Sequence, residues 1–371
     1  MINRDIDTPT PEPQRFKFRW LKEDGSEAAF SRKKKGSFDG ETLVLDDISV
    51  PASQILAVEA YEGRLVMSFV SPDGTVDSAG FRAYKISATD LKLDVDVARS
   101  GMWAEMTREK MTAAGRGAWF RTIRCPQCRA TLDLSEMEDT PQVYCHFCET
   151  LSTVEQSGGI LDEHDFGLCE ECGMFSRPRK FTIFYFYFLL VVWGWHSSVT
   201  NRCPACMRGN AWKMLFGNLP FVLGVPTAVV QLFRCYGGKI TGSVAAGLDD
   251  ANLKARKGDV LAALQSYGRI LEQVPWSAGI KYNVALALLQ QNEIERAAES
   301  LRLALKDCAN YAPAYPLLVG CYDELGEQDQ LTELRRVWGD DGDEEEPSVE
   351  GEPENSGAVP GSLDDDDAWG R

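Results

Sequence analysis

Between Phe16 and about Ile86 apolar and polar residues alternate in short runs: FKFRW, TLVLDD, ISVP, QILAVEAY, RLVMSFV and FRAYKI, divided by DG, YEG and SPDG. A period of two turns one face of each run toward a core and the other toward water, and the Gly-containing breaks are turn signals. The pattern therefore predicts short antiparallel strands. From roughly Asp96 to Ala114 the period changes, with Trp103, Met106 and Met111 recurring among good helix formers, which predicts one closing helix.

Two later stretches carry no charge at all: Phe181 to Thr200, FTIFYFYFLLVVWGWHSSVT, and Met214 to Phe233, MLFGNLPFVLGVPTAVVQLF. Each reaches the roughly 20 residues that cross a bilayer. Aromatic and β-branched residues in the first favour strand. Pro220, Pro226, Gly217 and Gly224 interrupt any helix in the second, so membrane insertion as a kinked or re-entrant element is expected there.

From about Ala245 to Trp338 the pattern repeats every 34 residues: Gly258, Asn292 and Gly326 at turns, Ala263 and Ala297 at a small position, Tyr267 and Leu301 at an apolar one, with Pro275 near the end of the first unit. In the third unit Leu331 and Arg335 depart from the pattern, as suits a terminal cap.

Eight of the eleven cysteines form Cys-x-x-Cys pairs: Cys125 with Cys128, Cys145 with Cys148, Cys169 with Cys172, and Cys203 with Cys206. Two cysteines three apart in a tight turn offer both sulfurs to one metal, and a second such turn completes a tetrahedron, so four pairs predict two zinc ions. Sixteen residues separate the first two pairs and read strand, acidic turn, strand; thirty separate the last two. Sequential pairing is preferred, and the rival joins Cys145 and Cys148 to Cys169 and Cys172. Four thiolates close the metal's shell, which marks structural rather than catalytic zinc. A redox dithiol beside a strand-helix-strand unit finds no counterpart here. Cys235, Cys308 and Cys321 are expected as packed thiols, and His146, His164 and His196, the only histidines, have no catalytic motif around them.

Sequential pairing carries a topological consequence. If Cys169, Cys172, Cys203 and Cys206 hold one ion, both ends of the Phe181 segment meet, so it cannot cross a membrane once. It must double back, FTIFYFYF against LLVVWGW, as a hairpin.

The net charge of -17 is uneven: Asp340 to Arg371 holds thirteen acidic residues and one arginine, leaving -5 for the remainder. That Gly-, Pro- and Ser-rich tail is expected to be disordered, with Trp369 as a candidate anchor. The N-terminus, MINRDIDTPTPEPQ, has no apolar core of a signal peptide, so export by that route is not expected, and the cysteines are read as metal ligands rather than a disulfide framework, kept as thiols in a reducing cytosolic setting. SRKKKG, Ser31 to Gly36, is expected as a basic loop, with anionic headgroups as its candidate ligand.

The 34-residue units resemble tetratricopeptide repeats, RCPQC to YCHFC closely resembles a zinc ribbon, and the strands followed by one helix resemble a pleckstrin-homology-like barrel. The second apolar stretch resembles in composition and order the segment that follows the ribbon in some bacterial membrane-associated ribbon proteins. These resemblances imply a multidomain chain: 1–15 disordered, 16–116 a β-rich barrel-like domain, 117–158 a first ribbon, 159–212 a second ribbon with the apolar hairpin, 213–237 a membrane-associated segment, 245–338 three repeats and 340–371 the tail. The expected role is a non-enzymatic scaffold, membrane-associated with cytoplasmic ribbons, that binds a protein or peptide through its repeats. No phosphate-cradling loop or nucleophile elbow argues for catalysis. The alternative is a soluble adaptor of nucleic-acid machinery, prompted by Arg108, Lys110, Arg116, Arg121, Arg124 and Arg129 near the first ribbon; the apolar segments weigh against it, so nucleic acid is not an expected partner.

Overall fold

The alternating runs pair into one antiparallel sheet of seven strands: β1 (Gln14–Trp20), β2 (Lys34–Phe38), β3 (Thr42–Leu45), β4 (Ile48–Pro51), β5 (Ile55–Tyr61), β6 (Arg64–Val70) and β7 (Val76–Tyr84), in the order β4-β3-β2-β1-β7-β6-β5. The computed structural model describes residues 13–22, 27, 32–61, 63–135, 137–154, 165–189, 192–219, 225–236 and 247–338, with backbone alone over 184–199. Alternate residues Phe16, Phe18, Phe38, Leu43, Leu45, Leu65, Met67 and Phe81 are buried on one face, each contributing about 1.5–3 kcal/mol. The Phe18 and Phe81 rings meet edge to face with centroids 5.5 Å apart.

Two expectations are corrected. The sheet is open, because β4 and β5 form its two edges and no pairing joins them among the described residues. Lys34 to Gly36, read as a basic loop, lie in β2, where Lys34 Nζ pairs with Asp46 at 2.6 Å and Gly36 stands opposite Phe16. A Cβ at Gly36 would lie 2.5 Å from the Phe16 ring, so glycine is what lets the aromatic cover the strand.

The helix α1 (Ala88–Ala113) begins earlier than its apolar spacing predicted, because Ser87 caps it: the Asp90 N–H donates to Ser87 Oγ. Its first turns bury Leu91 and Val95 under the sheet. Farther along it presents a buried ionic group in which Asp96 takes Lys92 Nζ at 2.6 Å and Arg99 Nε at 2.8 Å.

Next come β8 (Thr122–Arg124), β9 (Thr131–Asp133), β10 (Gln142–Cys145), β11 (Thr150–Thr153), β12 (Gly167–Leu168) and β13 (Phe175–Ser176). The expected strands between the first cysteine pairs exist, but they do not pair with each other. Instead β8 pairs with β9, β10 with β11 and β12 with β13, so each two-stranded hairpin encloses one Cys-x-x-Cys turn.

The apolar stretch then doubles back as predicted, β14 (Arg179–Leu189) against β15 (Val192–Arg202), with Phe181 opposite Thr200 and Phe188 opposite Trp193. The second stretch is divided between α2 (Pro204–Asn218) and α3 (Val225–Tyr236), which bury Met207, Ala211, Met214 and Ala228 around Phe181. Among the described residues no helix is long and apolar enough to cross a membrane. Pro220 and Gly224 lie outside the described residues, as do most of the N-terminal segment, Ser31, His164 and the acidic tail.

Three helix pairs complete the described residues: α4 (Leu248–Arg256) with α5 (Val260–Leu271), α6 (Ala278–Leu289) with α7 (Ile294–Asp307), and α8 (Ala314–Leu325) with α9 (Gln328–Trp338). The 34-residue marks fall at the intrapair turns, where Gly258, Asn292 and Gly326 adopt φ of 79°, 59° and 71°. Left-handed backbone there is why glycine or asparagine recurs. Ala263, Ala297, Tyr267 and Leu301 are fully buried, and Leu331 fills the third small position.

Candidate metal centres

The structure gathers the eight cysteines into two groups in the preferred pairing: Cys125, Cys128, Cys145 and Cys148, and Cys169, Cys172, Cys203 and Cys206. Within each group the four sulfurs all lie within 4.8 Å of one another. Three of the edges are 3.5 Å for Cys128 to Cys145, 3.7 Å for Cys125 to Cys148 and 3.9 Å for Cys172 to Cys203. A tetrahedron with metal–sulfur bonds of about 2.3 Å has edges of about 3.8 Å, whereas a disulfide needs about 2.05 Å. The donor sets fit a four-coordinate thiophilic ion and do not fit a disulfide.

Electrostatics lead the same way. Hydrogen bonds from Cys128, Cys145 and Cys148 pull the Cys125 thiol far below its ordinary range, while those to Cys125, Cys128 and Cys148 push Cys145 far above it. Cys169 and Cys206 divide in the same manner through their own partners. Two thiols in each group are lowered and two raised, Cys125 and Cys148 against Cys128 and Cys145, and Cys169 and Cys172 against Cys203 and Cys206; holding all four as thiolates takes a cation among them.

The first centre is built from two like turns. Cys125 and Cys128 lie between β8 and β9, Cys145 and Cys148 between β10 and β11, and the Cys125 N–H closes its turn on the Ala130 carbonyl at 2.9 Å. It is fastened to α1: Thr131 N–H donates to Ser100 Oγ at 3.0 Å, Lys92 Nζ to the Phe147 carbonyl at 3.0 Å, and the Arg99 guanidinium lies 5.0 Å from the Phe147 ring centroid. His146 stands exposed in this turn, with its pKa lowered by partial desolvation in the turn and then by Arg99.

The second centre joins unlike pieces. Cys169 and Cys172 occupy the turn between β12 and β13, whereas Cys203 directly follows β15 and caps α2, its sulfur accepting from the Cys206 N–H at 3.5 Å. The Cys203 N–H reaches Cys169 Sγ at 3.2 Å, and Arg256 Nη1 from α4 donates to Cys206 Sγ at 3.0 Å. The entire β14–β15 hairpin springs from between these ligands.

Sequence reasoning missed the residues that seat both centres on the helix pairs. Asn283 grips the backbone of Phe175 twice: the Phe175 N–H donates to its Oδ1, and its Nδ2 donates to the Phe175 carbonyl, both at 2.7 Å. Asn252 Nδ2 adds a second donor to that carbonyl at 2.9 Å, oriented by the Tyr267 hydroxyl at 2.8 Å. Asn310 treats Tyr144 of β10 identically, at 2.9 and 2.7 Å. Gln142 Oε1 accepts the Ala278 N–H at 2.8 Å. Gly279 belongs to the same contact, since a Cβ there would lie within 2.4–2.6 Å of the Phe175 ring. A buried asparagine inside an apolar helix, as in IKYNVALA, was the available signal.

Among the arginines near the first centre, Arg121 is engaged by Asp139 and by the Leu134 and Met137 carbonyls, and Arg108 by Glu105. Cys235, Cys308 and Cys321 are buried outside both groups. No family model matches the chain, and no curated protein matches it.

Proposed function

We propose that the chain is a non-enzymatic, membrane-associated scaffold built on two structural zinc ions. Cys125, Cys128, Cys145 and Cys148 hold one ion; Cys169, Cys172, Cys203 and Cys206 hold the other. Each closes a four-thiolate shell with no open position for chemistry. The helix pairs are of the tetratricopeptide type and recruit a protein partner. Their Asn-bearing side already carries β10 and β13, so the partner meets the second helices of the pairs, where Leu261 is exposed. The apolar hairpin and its neighbouring helices bring the scaffold to lipid.

The observation that carries this reading is the second centre, whose four sulfurs close around the foot of a hairpin with twenty uncharged residues, Phe181 to Thr200. Fractionation of cells producing the full chain, with zinc quantification of the purified protein, tests it. Sedimentation with membranes and two zinc ions per chain are expected. Recovery in the soluble fraction without detergent overturns the membrane role, and fewer than two tightly held ions overturns the structural one.

A further inference from the structure

From Gly173 to Gly247 the sequence contains no aspartate or glutamate, yet it holds eight basic residues: Arg177, Arg179, Lys180, Arg202, Arg208, Lys213, Arg234 and Lys239. In a chain of net charge -17 this is a charge reversal sustained over a long stretch, the one that forms the hairpin, α2 and α3. The fold turns it into a surface. Phe181, buried at the foot of β14, wedges against Met207, Ala211 and Met214 of α2 and Ala228 of α3, so the opposite sides of the two helices face outward together.

That outward side is aromatic. Phe216 is 62% and Phe233 76% exposed, Leu219 is exposed beside them, and Trp212 stacks on Phe216 with centroids 5.8 Å apart. Trp212 Nε1 donates to the Tyr236 hydroxyl at 3.1 Å, which ties the exposed sides of α2 and α3 into one plane. Lys213 and Arg234 are exposed in the same turns. Large apolar rings rimmed by cations and indole or phenol groups are what a bilayer interface with negative headgroups accommodates.

The hairpin limits how deep this can go. Each strand of eleven residues is about 36 Å long at about 3.3 Å per residue. Two strands alone leave both outer edges with unpaired N–H and C=O groups, each costing several kcal/mol in hydrocarbon. A span through the core is therefore disfavoured, and the interface, where water still meets the edges, is not. We infer that the α2–α3 face, with the foot of the hairpin, is an interfacial docking surface for an anionic bilayer leaflet, in which Phe216 and Phe233 enter the acyl boundary and Lys213 and Arg234 meet phosphate or carboxylate headgroups. This rests on the membrane reading above and adds to it the surface, the lipid class and the depth.

Co-sedimentation of the full chain with vesicles of phosphatidylcholine alone, and of phosphatidylcholine mixed with phosphatidylserine, tests it. Binding to the anionic vesicles, weakened by salt, is expected. Lys213→Glu with Arg234→Glu should lower that binding by about tenfold or more, and Phe216→Ser with Phe233→Ser should lower it even at low salt. All four positions are exposed, and unchanged zinc content and circular dichroism verify that these variants fold. Equal binding to neutral and anionic vesicles, full binding by the charge-reversed variant, or preferential capture of duplex DNA by this surface overturns the proposal. Failure to bind either vesicle while the chain still sediments with cell membranes overturns this surface but leaves the membrane reading standing through another contact. Loss of both overturns both.

Discussion

The two cysteine centres each gather four sulfurs within 4.8 Å of one another, and they differ in what they close. The first unites two alike hairpin turns across sixteen residues and is bolted to α1 through Ser100 and Lys92. The second unites a hairpin turn with the start of a helix across thirty residues and has β14 and β15 between its ligands. A metal at the first would secure a joint between the open sheet and the helix pairs. A metal at the second would fix the direction from which an apolar hairpin leaves the body.

Removing ligands separates those roles most forcefully, since structural zinc sites contribute apparent free energies of about 10–16 kcal/mol at neutral pH. Cys125→Ser with Cys128→Ser should drop metal content from two ions to one and lower the melting temperature of the whole chain. Cys203→Ser with Cys206→Ser should also cost one ion, keep the other, and in addition reduce vesicle binding by loosening the hairpin foot. Atomic absorption, calorimetry and co-sedimentation read the three quantities. Equal loss of vesicle binding in both variants would erase the functional distinction, and loss of both ions in either would mean that the centres are not independent.

The next contrast lies in how each centre is seated. Asn283 is wholly buried and serves both polar groups of Phe175, whereas Asn310 does the same for Tyr144 from a half-buried position. Stranding a buried polar group costs about 1–3 kcal/mol, and water can partly replace Asn310 but not Asn283. Asn283→Ala should therefore destabilise by about 3–4 kcal/mol and Asn310→Ala by about 1–2, measured as shifts in denaturant midpoint with an unchanged slope. Equal costs would remove burial as the reason for the difference.

Much of this was legible beforehand where a rule is local. Cys-x-x-Cys turns, the 34-residue spacing and the alternation of Phe16 and Phe18 each depend on neighbours in sequence, and each corresponds to an observed element. The doubling back of Phe181 to Thr200 followed from ligand closure rather than hydropathy. What escaped was non-local. Lys34 and Lys35 look like a loop until Phe16, opposite Gly36, is seen to need a strand there. The strands between the first cysteine pairs were placed correctly but paired with the wrong partners, because a four-residue strand carries no record of which neighbour it takes. Asn252, Asn283 and Gly279 do their work on Phe175, more than seventy residues away in the first case, so spacing within the helices could not disclose it.

Gly279 offers a smaller effect with an opposite sign to expectation from propensity alone. Gly to Ala inside a helix normally stabilises by about 1 kcal/mol. Here the new methyl meets the Phe175 ring, which Asn283 holds by its backbone, and overpacking of this kind costs about 1–3 kcal/mol. Gly279→Ala should therefore destabilise by about 1–2 kcal/mol net. A raised midpoint in denaturant would show that Phe175 is not firmly seated on the helix pairs.

The subtlest distinction is charge at the metal. Four thiolates around a divalent ion leave a net charge of -2, and among the described residues the second centre alone has a cation donating to a ligand, Arg256 Nη1 to Cys206 Sγ at 3.0 Å. Cys148 at the first centre has instead the neutral Thr150 hydroxyl at 3.0 Å. Arg256→Met keeps an apolar stem of similar length and removes the charge and the donor, and outer partners of this type are worth at least about tenfold in metal affinity. Introduced into the Cys125→Ser, Cys128→Ser background, where only the second centre binds, it should bring metal release about tenfold lower in chelator concentration. In the reciprocal Cys203→Ser, Cys206→Ser background the same substitution should change nothing. An equal shift in both would place Arg256 in the general stability of α4 rather than at the sulfur it touches.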